Sequence, residues 1–135
     1  MLKMIKTIAI LIGAMIILSG CSNSIEPSES NYKKISAEET KTMMDQDENQ
    51  NIIIVDVRTL EEYNEGHIER AILIPNETIL NEPPEQLPDL DAEILIYCRS
   101  GNRSQQAAEK LIELGYTNVY DFGGIIDWPY ETITE

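Results

Sequence analysis

The chain has 135 residues, with 24 acidic and 10 basic side chains and a formal net charge of −14 at neutral pH. A chain of this length has room for one domain with a modest hydrophobic core. The acidic balance argues against nucleic acid or an anionic lipid surface as a partner, because both carry negative charge themselves.

The first twenty residues have the pattern of an export signal. Lys3 and Lys6 precede the almost wholly apolar stretch 7–18, and the sequence Leu-Ser-Gly-Cys follows at residues 18–21. A basic start, a short apolar segment and small residues before a cleavage point are typical of a signal peptide. Residues 1–20 are therefore predicted to be removed, which takes away both lysines and changes the net charge from −14 to −16. The alternative is an uncleaved membrane anchor, for which the apolar stretch is short.

The sequence Leu-Ser-Gly-Cys resembles the lipobox of bacterial lipoproteins, and this resemblance makes Cys21 the lipidated first residue of the mature protein. Residues 21–31 are rich in Ser, Glu, Asn and Pro without apolar periodicity, which predicts a flexible tether. Stable membrane attachment needs two or more acyl chains or a second signal. Both the lipoprotein and the uncleaved anchor place the following domain, residues 32–135, outside the cytoplasm at the bacterial cell membrane.

Strands alternate with helices in residues 32–135, which predicts a parallel sheet covered by helices on both faces. The predicted strands occupy residues 32–35, 52–57, 71–74, 94–97 and 119–120. Ser36 opens a capping box before a helix that ends at about Asp47, and Thr59 caps a shorter helix that ends at about Asn64. The proline-rich stretch 81–91 is predicted to be a loop with room for one helical turn. A short terminal helix is predicted from about residue 124.

The fourth predicted strand, 94–97, leads directly into Cys98 and a short polar loop. A helix is predicted from about Arg103 to Leu114, so Cys98 lies at the carboxyl end of a buried strand, where open α/β sheets place their ligand sites. The N–H groups of the loop, the helix dipole and the charges of Arg99 and Arg103 all favour an anion there. This setting favours the thiolate form of the cysteine, which is the nucleophilic form.

The few cysteines and the single histidine of the chain further limit the reactions that the domain could carry out. The chain has two cysteines, and lipidation of Cys21 leaves Cys98 without a partner for a disulfide or for thiol–disulfide exchange. The single histidine, His67, has no companions at metal-ligand spacing, so neither a metal nor another cofactor is predicted. Cys98 as a buried structural residue is the alternative interpretation. Two arginines and Gly101 within five residues of Cys98 favour a reactive cysteine instead.

The sequence Cys-Arg-Ser-Gly-Asn-Arg-Ser at residues 98–104 resembles the active-site loop of single-domain rhodaneses. Further landmarks of that family follow in the right order at residues 56–58, 61–68, 71–76 and 123–128. The resemblance covers nearly all of the chain after residue 31. It implies a rhodanese-like three-layer α/β fold, with a central, mostly parallel sheet of about five strands flanked by helices on both faces. Glu-Arg-Ala at residues 69–71 departs from the family's frequent Pro-Gly-Ala and should alter a surface turn.

The resemblance also implies a sulfurtransferase. The Cys98 thiolate would take the sulfane sulfur of thiosulfate or a persulfide, hold it as a Cys98 persulfide, and pass it to cyanide or another thiol. Thiosulfate is a small dianion, which two arginines and a ring of N–H groups would bind. The residues expected to bind the substrate are Arg99, Ser100, Gly101, Asn102, Arg103 and Ser104.

Asp56 and Arg58, at the end of the second predicted strand, are expected to support the site. They either contact the substrate or form a structural set in which Arg58 pairs with Glu62, and the family resemblance favours the structural set. His67 is interpreted as part of a structural turn rather than as the partner of Cys98 in a catalytic dyad.

Two more side chains have assigned roles. Ser104 either donates a hydrogen bond to the Cys98 thiolate or caps the following helix, and the sequence leaves both open. Trp128 is predicted to be a core residue that closes the last helix against the sheet.

Two other functions are weighed against sulfur transfer. Cysteine-dependent phosphatases place five residues between Cys and Arg, whereas four lie between Cys98 and Arg103, a spacing that should fit phosphate badly. A binding or sensing module on the same fold would use Cys98 only as a redox or persulfide switch. The presence of Cys98 together with Arg99 and Arg103 favours the enzyme, because a purely docking module needs none of the three.

Overall fold

The computed structural model of the protein describes residues 31–135, in which five strands form one sheet. The strands are β1 (Lys33–Lys34), β2 (Ile53–Asp56), β3 (Ile72–Leu73), β4 (Glu93–Cys98) and β5 (Asn118–Gly124). Their order across the sheet is β1-β5-β4-β2-β3, and every neighbouring pair is parallel. The helices are α1 (Ala37–Gln46), α2 (Leu60–Glu65) and α3 (Asn102–Glu113). The predicted parallel α/β fold is confirmed.

Helices cover both faces of the sheet. Successive side chains of the central strand β4 point to opposite faces, and both sets are apolar. Ile94 and Ile96 belong to a core cluster that contains Leu111 of α3. Leu95 and Tyr97 belong to a second cluster on the other face, where α1 and α2 pack. These four side chains are fully buried, and full burial of one large aliphatic side chain contributes about 1.5–3 kcal/mol. The continuous apolar run is therefore that of a strand buried on both faces.

The two early helices start where their cap residues predict. Ser36 accepts a hydrogen bond from the Glu39 N–H at 3.1 Å, and the Glu39 carboxylate accepts one from the Ser36 N–H at 2.7 Å. Thr59 and Glu62 make the same reciprocal pair at the start of α2. Each pair satisfies two backbone N–H groups that the first turn of a helix leaves free.

The largest departure from the sequence prediction is β5, which runs to Gly124 instead of ending at Tyr120. Asp121 and two glycines break the apolar pattern there, and a register shift marks the pairing with the end of β4. The stretch 81–91 is a loop, as predicted, with single turns at residues 85–86 and 90–91, each closed by a hydrogen bond between residues three apart.

Two short 3-10 helices complete the described part of the chain, at Asn76–Thr78 and Ile125–Asp127. The first was not predicted from the sequence, and the second lies where a short terminal helix was predicted. The predicted signal peptide, the lipidation site Cys21 and the tether up to residue 30 lie outside the described residues. No helix within residues 31–135 is both long enough and apolar enough to cross a membrane.

Candidate active site

Cys98 is the last residue of β4, and α3 begins four residues later at Asn102. The chain makes this sharp turn through Gly101, whose backbone is left-handed with φ 107° and ψ −15°. A side chain at that position would be strained, so glycine is required by the turn itself. The result is a loop of three residues that wraps around the Cys98 sulfur and ends at the N-terminus of α3.

The Cys98 sulfur is held from inside this loop. Its Sγ atom accepts a hydrogen bond from the Gly101 N–H at 3.0 Å, and the whole residue is 1 % exposed. The thiol forms no disulfide within residues 31–135. A backbone N–H directed at sulfur at the N-terminus of a helix favours negative charge on that sulfur.

Ser104, one turn into α3, is fully buried beside the sulfur. Its Oγ atom lies 3.6 Å from the Cys98 Sγ atom and 3.0 Å from the Gly101 carbonyl oxygen, to which it donates. Of the two roles that the sequence left open, capping of the helix is wrong, because α3 has no side-chain cap; the hydroxyl lies instead within reach of the sulfur and of the Gly101 carbonyl oxygen. A hydroxyl can rotate its proton from the carbonyl to the sulfur when the thiol ionises.

Strand β5 supports the loop from behind. Gly124 pairs with Cys98 in the sheet, and a Cβ atom at Gly124 would lie only 2.2 Å from the Arg99 carbonyl oxygen. The same carbonyl accepts a hydrogen bond from the Ile126 N–H at 3.2 Å. Gly124 was not singled out as a site residue from the sequence, although its place in the family landmark 123–128 was a usable signal.

The two loop arginines differ sharply in their surroundings. Arg99 is exposed and takes part in no salt bridge within residues 31–135. Arg103 makes a bidentate pair with Glu62 of α2, with its two terminal nitrogens 2.7 and 2.9 Å from the two carboxylate oxygens. Hydrogen bonds from Arg103, and to a smaller extent from Thr59, lower the pKa of Glu62 to about 2, although burial by itself raises it. The same hydrogen bonds raise the pKa of Arg103.

The prediction that Arg58 pairs with Glu62 is wrong. Arg58 pairs with Asp56, with a shortest nitrogen–oxygen distance of 2.7 Å, and also donates to the Gly66 carbonyl oxygen at 2.7 Å. The reason is local: Arg58 lies at a bend two residues after Asp56, where its backbone N–H also donates to an Asp56 carboxylate oxygen at 2.9 Å. Helical i,i+4 spacing does not apply, because α2 begins only at Leu60.

The Asp56–Arg58 pair belongs to a buried network rather than to an open surface. The Tyr97 hydroxyl donates to Asp56 at 2.7 Å and accepts from the Ile68 N–H at 3.1 Å. Burial and the adjacent Asp56 charge raise the pKa of Tyr97, which stays a neutral donor. Burial lowers the pKa of Arg58, but the hydrogen bonds and charge of Asp56 outweigh it and raise that pKa overall. These contacts are those of a scaffold beneath the loop.

His67 also has structural contacts. Its Nδ1 atom lies 2.9 Å from the Tyr63 carbonyl oxygen, its ring stacks on that of Tyr63, and its backbone bridges to Ile133. No hydrogen bond joins His67 to Cys98 in the described part of the chain. Residues 31–135 likewise hold no group of three His, Cys, Asp or Glu side chains able to bind a metal.

Trp128 is buried against Phe122, as predicted for a core residue.

Ser100 and Asn102, the other two predicted substrate-binding side chains, are exposed and make no side-chain hydrogen bond to residues 31–135. They border the loop opening together with Arg99 and Arg103. Of the six predicted substrate-binding residues, the structure therefore places Gly101 and Ser104 against the Cys98 sulfur, while Arg99, Ser100 and Asn102 face solvent and Arg103 is paired with Glu62; Asp56 and Arg58 lie in the buried network. The arrangement can hold a small anionic group above Cys98 by backbone N–H groups and guanidinium charge.

Comparison with known proteins gives a consistent result. Residues 36–129 match the family model described as the rhodanese-like domain. The thiosulfate sulfurtransferase PspE of Escherichia coli (strain K12) is 38 % identical over 73 residues, which are 54 % of this chain and 70 % of that protein. A solved structure titled "rhodanese with anions from E. coli" is 33 % identical, with a TM-score of 0.55, and the match covers 62 % of this chain and 99 % of that one.

A third relative has a different name. The tRNA uridine(34) hydroxylase of Photorhabdus laumondii is 34 % identical over 110 residues, which are 78 % of this chain. The chain spans only 30 % of that protein's length. The likeness is thus to one part of a larger protein.

Proposed function

The chain belongs to the rhodanese-like domain family, and from that premise we propose that it is a sulfurtransferase that moves sulfane sulfur through a Cys98 persulfide. The donor is thiosulfate or a persulfide, and the acceptor is a thiol or cyanide. Relatives of this chain include a thiosulfate sulfurtransferase. The observation that carries the proposal is the N–H of Gly101 held 3.0 Å from the Cys98 sulfur at the start of α3.

The first half-reaction loads the cysteine. The Cys98 thiolate attacks the outer sulfur of thiosulfate, a sulfur–sulfur bond forms, and the bond between the two thiosulfate sulfurs breaks with its electron pair leaving on sulfite. The product is an anionic Cys98 persulfide, and no net proton transfer is needed. The Gly101 N–H stabilises the charge on the Cys98 sulfur before the transfer, and the dipole at the α3 N-terminus favours the charge that moves to the outer sulfur.

The second half-reaction unloads it. Cyanide attacks the outer sulfur of the persulfide, a carbon–sulfur bond forms, and the persulfide bond breaks to release thiocyanate and regenerate the Cys98 thiolate. A thiol acceptor reacts in the same way and leaves as its own persulfide. Ser104, whose hydroxyl lies beside the sulfur, donates to the thiolate as it reappears.

A second candidate function is a persulfide or redox sensor, and one observation favours it. Cys98 is 1 % exposed, so a sulfur atom bound to it is shielded from exchange with thiols in solution. Thiocyanate release distinguishes the two functions when the purified protein is mixed with thiosulfate and cyanide. A sulfurtransferase forms many equivalents per protein, and Cys98→Ser forms none. Release of at most one equivalent by the unaltered protein would favour the sensor.

We further propose that the protein is an extracytoplasmic lipoprotein, anchored to the bacterial cell membrane through Cys21. Support comes from the basic start, the apolar stretch 7–18 and the sequence Leu-Ser-Gly-Cys at residues 18–21. In a bacterial host, the unaltered chain should fractionate with membranes and carry acyl mass on residue 21. The Cys21→Ser chain should lose the acyl mass; acylation that survives the substitution would contradict the proposal.

A further inference from the structure

The opening of the Cys98 loop carries two arginines in different electrostatic states. Arg99 is exposed and forms no salt bridge to any residue in the range 31–135. Arg103 is joined through two hydrogen bonds to the Glu62 carboxylate. The Arg103–Glu62 pair carries no net charge, so Arg99 is the uncompensated cation of the loop.

Glu62 is fixed in this position from two sides. Its Oε2 atom accepts hydrogen bonds from the Thr59 N–H at 3.0 Å, from the Thr59 hydroxyl at 3.1 Å and from Arg103 at 2.7 Å. The pKa of about 2 keeps Glu62 ionised at neutral pH. Arg103 still has N–H groups beyond the two that Glu62 occupies, because a guanidinium has five. Glu62 therefore cancels the charge of Arg103 without using up all its donors.

We infer that Glu62 is a specificity-determining residue: by cancelling the charge of Arg103 it shifts the donor preference of the site away from dianionic thiosulfate and toward singly charged sulfane donors, such as persulfide or thiosulfonate anions. The inference rests on the proposed sulfur transfer through Cys98. Its physical basis is that Coulomb energy scales with the product of the charges. Restoring one positive charge at Arg103 thus lowers the free energy of a bound dianion about twice as much as that of a monoanion.

Two donors with the same reacting bond isolate the effect of charge. In methanethiosulfonate, a monoanion, the Cys98 thiolate attacks the outer sulfur, a sulfur–sulfur bond forms, and methanesulfinate leaves with the electron pair of the broken bond. In thiosulfate, the same attack releases sulfite. Both reactions give the same Cys98 persulfide, so a difference between them reports on the leaving part of the donor.

The test is the ratio of kcat/KM for the two donors in the unaltered protein and in Glu62→Gln. Glutamine is also accepted at the third position of a capping box, so the start of α2 is preserved. A rise of about threefold for methanethiosulfonate should accompany a rise of about tenfold for thiosulfate at low salt. The change should shrink in about 1 M salt, where the Debye length falls to about 3 Å. Glu61→Gln is the matched control, because this exposed neighbour does not contact Arg103, and its ratio should stay unchanged.

Two outcomes in Glu62→Gln overturn the inference. An equal fall for both donors would show that Glu62 merely positions Arg103. An unchanged kcat/KM for both donors would show that the charge of Glu62 is not felt by the substrate.

A binding measurement keeps the inference separate from the proposed function. In a Cys98→Ser background no sulfur is transferred, and thiosulfate binding can be followed by calorimetry with and without Glu62→Gln. Binding about tenfold tighter in the double variant is expected; equal or weaker binding overturns the inference. Failure of the proposed function has another signature, since the unaltered protein would then take up sulfur from neither donor.

Discussion

Three acid–base pairs of this protein have similar chemistry but differ in depth. The Asp56–Arg58 side chains are 0 % and 7 % exposed, those of Glu62 and Arg103 are 25 % and 31 % exposed, and those of Asp45 and Lys41 are 62 % and 35 % exposed. The first supports the strand ends beneath Cys98, the second borders the opening of the loop, and the third lies on the outer surface of α1. The depth of such a pair decides whether it stabilises the fold, affects the preference for a sulfur donor or contributes little to either, because water screens exposed charges.

The largest expected effect of breaking a pair is at the deepest one. Asp56→Asn leaves the Arg58 charge buried without a full partner, and loss of one member of a buried pair costs about 3–5 kcal/mol. Urea unfolding followed by circular dichroism measures this cost. A loss below about 1 kcal/mol would mean that the network under the loop does not support the fold.

The next effect is expected from the neutral member of the same network. Tyr97→Phe removes a hydroxyl that donates to Asp56 and accepts from Ile68. Both partners are buried, so the cost should be about 1–3 kcal/mol by the same unfolding measurement. A variant as stable as the unaltered protein would show that water replaces the hydroxyl.

At the intermediate pair the expected effect depends on pH. Folding lowers the pKa of Glu62 from its usual 4.5 to about 2, so the Glu62–Arg103 pair stabilises the fold fully above pH 4.5 and loses that contribution as pH falls toward 2. Partial exposure limits the contribution to about 1 kcal/mol or less. The difference in unfolding free energy between the unaltered protein and Glu62→Gln should vanish across this pH window. A difference that persists at pH 2 would come from something other than the ionised pair.

The smallest effect is expected at the most exposed pair. Asp45→Asn should change the free energy of unfolding by less than about 0.5 kcal/mol and leave the donor preference untouched. A larger change in the free energy of unfolding, measured in urea, would contradict the relation between the depth of an ion pair and its role.

Much of the fold and part of the site follow from local sequence signals. The apolar run of β4, the cap residues Ser36 and Thr59, and the start of α3 after Cys98 are local features, and each is found where the sequence predicts it. Cys98, Gly101 and Ser104 belong to one continuous stretch of the sequence, so chain order alone brings the sulfur and its two hydrogen-bonding neighbours together.

The rest depends on contacts between distant parts of the chain. Arg103 and Glu62 are 41 residues apart, and no local pattern shows that α2 and the start of α3 meet. The length of β5 is similarly set by β4 beside it, since Asp121 and Gly124 lack the apolar character of a strand. The sequence predicted Glu62 as the partner of Arg58, and the bend of the backbone after β2 selects Asp56 instead.

The most direct test of sulfur transfer is the intact mass of the purified, reduced protein after thiosulfate treatment and again after cyanide, with Cys98→Ser as control. The expected result is a gain of one sulfur atom, located on Cys98, which cyanide then removes as thiocyanate. A folded, reduced protein that takes up no sulfur from thiosulfate or methanethiosulfonate, or that takes it up equally in Cys98→Ser, would contradict the account.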